Sequence, residues 1–220
     1  MLLAEELALV AINPSSGRHG LGLRAEINAC LAGLLVAELI LDDVIAPGDK
    51  TDRVAITGRV EPKGVTLAAA TAVVIDNGPK LKAILSGMDR GLSRRIGFGT
   101  WDTTVAGLAD AGVVEATSGG VRPRNNLIQG FVRDSTVAAL RQAAAGDGAL
   151  DLRTSALLSM TGPAKLLEVV APDRKARGHA RNRIDHALDG TVLEPIGRLV
   201  RRLISEAVAA AGAATVAATS

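Results

Sequence analysis

One spacing occurs twice in this chain, and it constrains the fold more than any other feature. Val36-Ala37-x-Leu39-x-x-x-Asp43-Val44-Ile45 matches Val105-Ala106-x-Leu108-x-x-x-Gly112-Val113-Val114 position for position. In each copy, apolar residues at helical spacing run into a residue that tolerates the left-handed backbone, glycine in one and aspartate in the other. β-Branched residues follow, then a turn cluster, then a second short apolar run. The first copy turns at Pro47-Gly48-Asp49-Lys50 and returns at Val54-Ala55-Ile56. The second turns at Ser118-Gly119-Gly120 and returns at Leu127-Ile128. The spacing predicts two helix-then-hairpin units of winged-helix shape. Two copies are too few for a solenoid, so both are assigned to one domain.

What surrounds these units follows from the side chains on offer. With 48% hydrophobic residues but no Tyr, two Phe and one Trp, the core has to be built from Leu, Val, Ile and Ala. Aliphatic, Ala-rich segments at helical spacing favour a mainly α fold, a single compact helical domain with small β-hairpins. The remaining helices are expected over 2–12, 23–41, 66–75, 80–86, 134–145, from Asp151 onward, 165–170 and 172–188, with a last helix starting at Pro195. The segment 87–100, with four glycines and three arginines, reads as a connecting loop, and Asp102 and Asp134 read as helix N-caps. The domain is placed at 1–207. An Ala-rich C-terminal tail, 208–220, is expected to fray.

Charge and chemistry narrow the function classes. A net charge of +2 is far from that of a dedicated DNA binder, and a chain almost without aromatics is poorly equipped to stack bases. Nucleic acid is therefore an unlikely partner. Cys30 is the single cysteine, which rules out an internal disulfide and fits a cytoplasmic setting; its place on an apolar helical face marks it as inert core. Glu5 and Glu6 interrupt the N-terminal apolar run, which argues against a signal peptide. The longest apolar run, 27–41, is short for a bilayer span and contains Glu38, so any membrane contact is expected to be peripheral. His179 and His186 stand seven apart, too far for the usual metal pair, and no phosphate loop or nucleophile elbow appears. Ser15-Ser16-Gly17-Arg18-His19-Gly20 reads as a mobile loop and Glu38 as a helix-edge or core-anchoring carboxylate. No catalytic residue, metal or cofactor is assigned, and the chain is read as a non-enzyme.

The segment 102–132 carries the feature that most invites a ligand. Its hairpin holds Arg122 and Arg124 beside Val121, with no acid between Glu115 and Asp134. Apolar residues with unpaired arginines suit an anionic partner, either a lipid head group or a nucleic acid. Three further arginines, Arg90, Arg94 and Arg95, precede the central helix.

These landmarks together resemble the Golgi phosphoprotein 3 family, in its bacterial branch. The resemblance rests on Leu2-Leu3-Ala4-Glu5-Glu6-Leu7-Ala8-Leu9, the turn at 13–18, Leu35-Val36-Ala37-Glu38-Leu39-Ile40-Leu41, and Leu108-Ala109-x-x-Gly112-Val113-Val114 with its hairpin. It implies a helical, non-enzymatic peripheral membrane adaptor. Such a protein binds phosphatidylinositol 4-phosphate in a basic pocket, and a protruding hairpin inserts in the membrane or mediates oligomerisation. Here that hairpin corresponds to 115–131. Alignment from Glu38-Leu39 puts the family's pocket tryptophan and first arginine on Leu23 and Ala32. Counting back from Gly112 puts two further pocket arginines on Phe98 and Trp101. The nearest replacements are Arg24, Arg90, Arg94 and Arg95. With Trp101 they form the expected lipid-binding set; Val121, Arg122, Arg124, Leu127 and Ile128 form the expected membrane or oligomer hairpin. The expected partners are anionic, phosphoinositide-like head groups, a protein client, and a second copy of the chain through the hairpin. The alternatives are an interaction scaffold without a lipid ligand, and a winged-helix DNA regulator using the basic segment 174–183.

Overall fold

In the computed structural model, residues 1–17, 24–117 and 124–219 are described. The axis of the molecule is α2 (Arg24–Leu41), in which every residue from Cys30 to Leu39 is buried and all but Glu38 are apolar or glycine. Leu31, Leu34, Leu35, Val36 and Leu39 have no exposed surface. A helix apolar on every side is stable only inside a shell of other elements. That shell is α1 (Leu3–Ala11), α3 (Gly64–Asn77), α4 (Leu81–Ile96), α5 (Thr100–Asp110), α7 (Leu152–Thr161) and α10 (Glu194–Thr219). Outside it, α6 (Gly130–Ala145), the short α8 (Leu167–Val170) and α9 (Arg177–His186) pack against one another and on α7. Gly33 lets α10 close on α2, because a Cβ there would stand 2.7 Å from Val200 Cγ2.

The two repeated units fold alike. Asp43 and Gly112 both take the left-handed conformation, with φ of 57° and 68°. The bond Val44 N–H to Leu39 C=O in one matches Val113 N–H to Leu108 C=O in the other, both at 2.9 Å. Each helix therefore ends in the same Schellman closure. The first hairpin pairs β1 (Ile45–Pro47) with β2 (Val54–Ile56), Ile45 opposite Ile56. The second pairs β3 (Val114–Thr117) with β4 (Arg124–Leu127), Val114 opposite Leu127. The loop before α2 is tied to the second hairpin: the Asn125 N–H donates to the Gly17 carbonyl at 2.8 Å. Residues 15–17 are thus anchored where a mobile loop is expected, and 18–20 lie outside the described residues.

Several expected boundaries move. Residues 87–96 continue α4 where a loop is expected. Gly87 and Gly91 do not break this helix; they let α3 approach, since a Cβ at 91 would stand 2.5 Å from Val73 Cγ2. Asp102 lies in the first turn of α5, and Gly99 takes the cap position. Asp134 is inside α6, which starts at Gly130. The helix expected over 172–188 shrinks to α9, and α10 continues through Thr219, past the start of the expected tail.

One buried ionic cluster ties three helices. Glu38, 5% exposed, accepts from Arg153 Nη1 at 2.7 Å and from the Leu3 N–H at 2.7 Å. Arg153 Nη2 also reaches Glu6 Oε1 at 2.8 Å and the Met1 carbonyl at 2.7 Å. Nearby, burial holds the Glu5 carboxyl above the ordinary carboxylate range, against the opposing bond from the Leu2 N–H. The buried Glu5 carboxylate therefore costs stability above its raised value, and that cost is relieved as pH falls through the raised value toward that of the unfolded chain. Asp151 runs the other way. It caps α7 by accepting the Thr154 N–H at 2.9 Å and the Thr154 hydroxyl at 2.6 Å, which hold its carboxyl low.

Two stability measurements check this account. Glu38→Ala leaves the Leu3 N–H without its acceptor and Arg153 with only Glu6 and the Met1 carbonyl, and is expected to cost about 2 kcal/mol, below the range for a fully orphaned buried partner because Arg153 keeps Glu6 and is partly open to solvent; an unchanged urea midpoint would refute it. Asp151→Ala is expected to cost about 1 kcal/mol at pH 7 as a lost N-cap. The Asp151 contribution is full above the unfolded carboxylate's value and is lost as pH falls through the lowered folded value. Parent and variant melting curves should therefore converge in acid.

Candidate functional site

Helix α4 buries Leu81, Ile84, Leu85, Met88 and Leu92 and turns Arg90, Arg94 and Arg95 outward. The close approach of α3 at Gly87 and Gly91 makes a depression of about 480 Å³, lined by these three arginines with Asp76 and Asn77. Asp76 is the only acid lining it, and it is already paired with Arg95. Arg90 and Arg94 stand one helical turn apart on the same face. Neither has a side-chain partner among the described residues. Two exposed apolar side chains lie close along the chain: Ile75, 61% exposed, precedes Asp76, and Phe98, 54% exposed, follows the last turn of α4. The groove can therefore offer two free guanidiniums to phosphate or carboxylate oxygens, with apolar neighbours at its edge.

The structure gathers only part of the expected set. Trp101 is a correction: it is 4% exposed and belongs to the core face of α5, with Val105 and Leu108. It does not line the arginine groove. Arg24 is the first residue of α2, and its side chain lies outside the described residues, as do Val121 and Arg122 altogether. Arg124 opens β4 opposite Thr117, its side chain likewise outside the described set. Leu127 is a second correction, because it is half-buried and packs against the core. Ile128 is 60% exposed, and Phe131, which the sequence did not single out, is 70% exposed on the first turn of α6. The arginine groove and the hairpin are two separate sites. They sit at opposite ends of α5, whose 11 residues span about 16 Å.

Two of the five basic residues of the segment 174–183 are spent on structure. Arg177 donates to Glu168 at 2.9 Å and to the Ala171 carbonyl at 3.2 Å. Arg183 donates to the Ala143 carbonyl at 2.8 Å and also to the Gly148 carbonyl. These bonds satisfy carbonyls that helix ends and loops leave open. They fasten α9 to its neighbours rather than present it to a DNA groove, and α5 carries no basic residue.

A second depression, of about 510 Å³, lies on the other side of α4, against α2, α5 and α10. It contains Ala32, the position aligned with the first pocket arginine. Ala32 is 2% exposed, and among the described side chains no cationic one lines the depression; the one charged residue among them is Asp89.

The fold defines a class: a helical scaffold around one buried helix, with two wing-like hairpins and an unpaired arginine groove. Among the described residues no helix is long and apolar enough to cross a membrane. The chain belongs to the Golgi phosphoprotein 3 (GPP34) family, whose family model matches residues 3–207. No curated protein matches it.

Proposed function

We propose that this chain is a non-enzymatic peripheral adaptor that docks on anionic membrane surfaces through the arginine groove of α4 and holds a protein client there. The observation that carries the reading is the pair of exposed, unpartnered guanidiniums of Arg90 and Arg94, in a groove whose one acid is engaged by Arg95. Family membership supports the same reading. Phe98 supplies an apolar contact at the bilayer surface, and Ile128 and the hairpin supply a second. The phosphoinositide implied by the family is bound in this reading by its charge, because among the described residues the depression around Ala32 offers no cation to select it.

Sedimentation with neutral, generic anionic and phosphatidylinositol 4-phosphate vesicles tests the proposal at low and physiological salt. Binding is expected to both acidic compositions, matched for charge, and to weaken with salt. Each arginine near an acidic surface contributes about 1 kcal/mol, so Arg90→Ala/Arg94→Ala together should weaken binding by about 30-fold. Equal sedimentation with neutral vesicles, or an unaffected double variant, would remove the lipid reading.

A second reading rests on Ile128 and Phe131, two large exposed apolar side chains at the base of the second hairpin. In it the hairpin region joins copies of the chain. Analytical ultracentrifugation would then show a concentration-dependent assembly that Phe131→Ser shifts toward monomer; a monomer at every concentration would exclude it.

A further inference from the structure

The depression opposite the arginine groove has a chemistry of its own. Its walls are small or apolar: Ala25, Ala29, Ala32, Leu85 and Leu203. Its polar atoms come chiefly from Asn28, Asp89 and Thr100. Asp89 is held in position. Its Oδ1 accepts from Asn28 Nδ2 at 3.1 Å and from the Thr100 N–H at 2.7 Å. Gly99 makes room for it, since a Cβ there would stand 2.7 Å from the same oxygen. The bond to Asp89 also sets the Asn28 amide, because the flipped amide would place two oxygens face to face.

Three acceptor oxygens are left over. Asp89 Oδ2 has no partner among the described residues. Asn28 Oδ1 and Thr100 Oγ1 are buried, and both lack a hydrogen-bond partner. Thr100 as a residue has no exposed surface. Buried polar atoms are nearly always paired, so two orphans beside one carboxylate ask for a donor.

We infer that this depression binds a primary ammonium group carried on a short aliphatic stem. An ammonium has three N–H donors and no acceptor, which matches three acceptor oxygens. The Asp89 carboxylate compensates the charge as it leaves water. The alanines and leucines accept the methylenes of the stem. A quaternary ammonium, which has no N–H, leaves both orphan oxygens unpaired. Neither of these oxygens is open to water, so binding begins on the exposed Asp89 carboxylate; an ammonium N–H replaces the Asn28 Nδ2 bond to Asp89, which frees the amide to turn its oxygen to the ligand, and the Thr100 hydroxyl rotates to meet it. The stem can belong to an ethanolamine-type lipid head group or to a free alkylamine. This site is independent of the lipid docking through Arg90 and Arg94, which line a separate groove of α4.

Trp101 is the only tryptophan and adjoins Thr100, so its emission reports on the site. The full chain is titrated with n-butylammonium chloride and, at matched ionic strength, with tetramethylammonium chloride. The expected result is a saturable change with butylammonium and none with tetramethylammonium. Asp89→Asn should weaken the response at least ten-fold. Because Asp89 also caps α5, Ala29→Leu serves as a second variant. It fills the depression without touching the carboxylate and should abolish the response, with a urea midpoint confirming that it is folded. Arg90→Ala/Arg94→Ala should keep the response, which separates this site from the lipid reading. Vesicles of phosphatidylethanolamine in phosphatidylcholine, against phosphatidylcholine alone, identify the source. Asp89-dependent sedimentation with the former assigns a lipid head group, whereas a response to butylammonium alone assigns a soluble amine. Equal responses to both salts, no saturation, or a response unchanged in both Asp89→Asn and Ala29→Leu would overturn the inference.

Discussion

A carboxylate buried in the middle of an apolar helix obliges distant parts of the chain to meet. Glu38 sits on α2, whose surroundings are otherwise Leu, Val, Ile and Ala, and those side chains pack without directional preference. Its two oxygens are directional. One is satisfied by the Leu3 N–H at the start of α1, the other by Arg153 on α7. Since an unpaired charge at that depth is far costlier than an imperfect apolar contact, the register of three helices follows from one residue. An aliphatic core could slide by a turn at small cost; this ionic cluster cannot.

Much of this architecture was legible in the residues, and the failures have a common cause. The two helix-then-hairpin units were readable because left-handed helix closure is a local property of one residue. Asp43 and Gly112 take it with the same backbone bonds. Glu38 could be read as a helix-edge or core-anchoring acid because it stands among apolar residues of α2, and packing decides for the core. Helix α4 was misread because Gly87 and Gly91 serve partners on α3 that are 10 and 18 residues away, Asn77 and Val73, and tertiary fit overrides helix propensity there. Trp101 entered the expected set through the count back from Gly112, which gives a position in the chain but not the direction a side chain faces; it is 4% exposed, on the core face of α5. Of the candidate site, the arginines of α4 could be picked out by type. Their separation from the hairpin, and the engagement of Arg95 by Asp76, depend on helix lengths and packing that no local pattern encodes.

Helix α4 also acts as a partition. On one flank its arginines face α3; on the other Asp89 faces α2, α5 and α10. A helix about 10 Å across thus separates two depressions of opposite electrostatic preference. Their chemistry differs because neighbouring positions on a helix point about 100° apart, so Asp89 and Arg90, adjacent in sequence, serve different cavities.

The placement of the arginine groove and the hairpin at the two ends of α5 has a geometric consequence. Two points of contact on a flat surface define a line, and a body resting on them can still roll about it. A protein docked through these points would keep α5 parallel to the surface while its outer helices swung toward or away from it. The angle of roll would be set by whatever third object touches the body, so its orientation would carry information about what it holds.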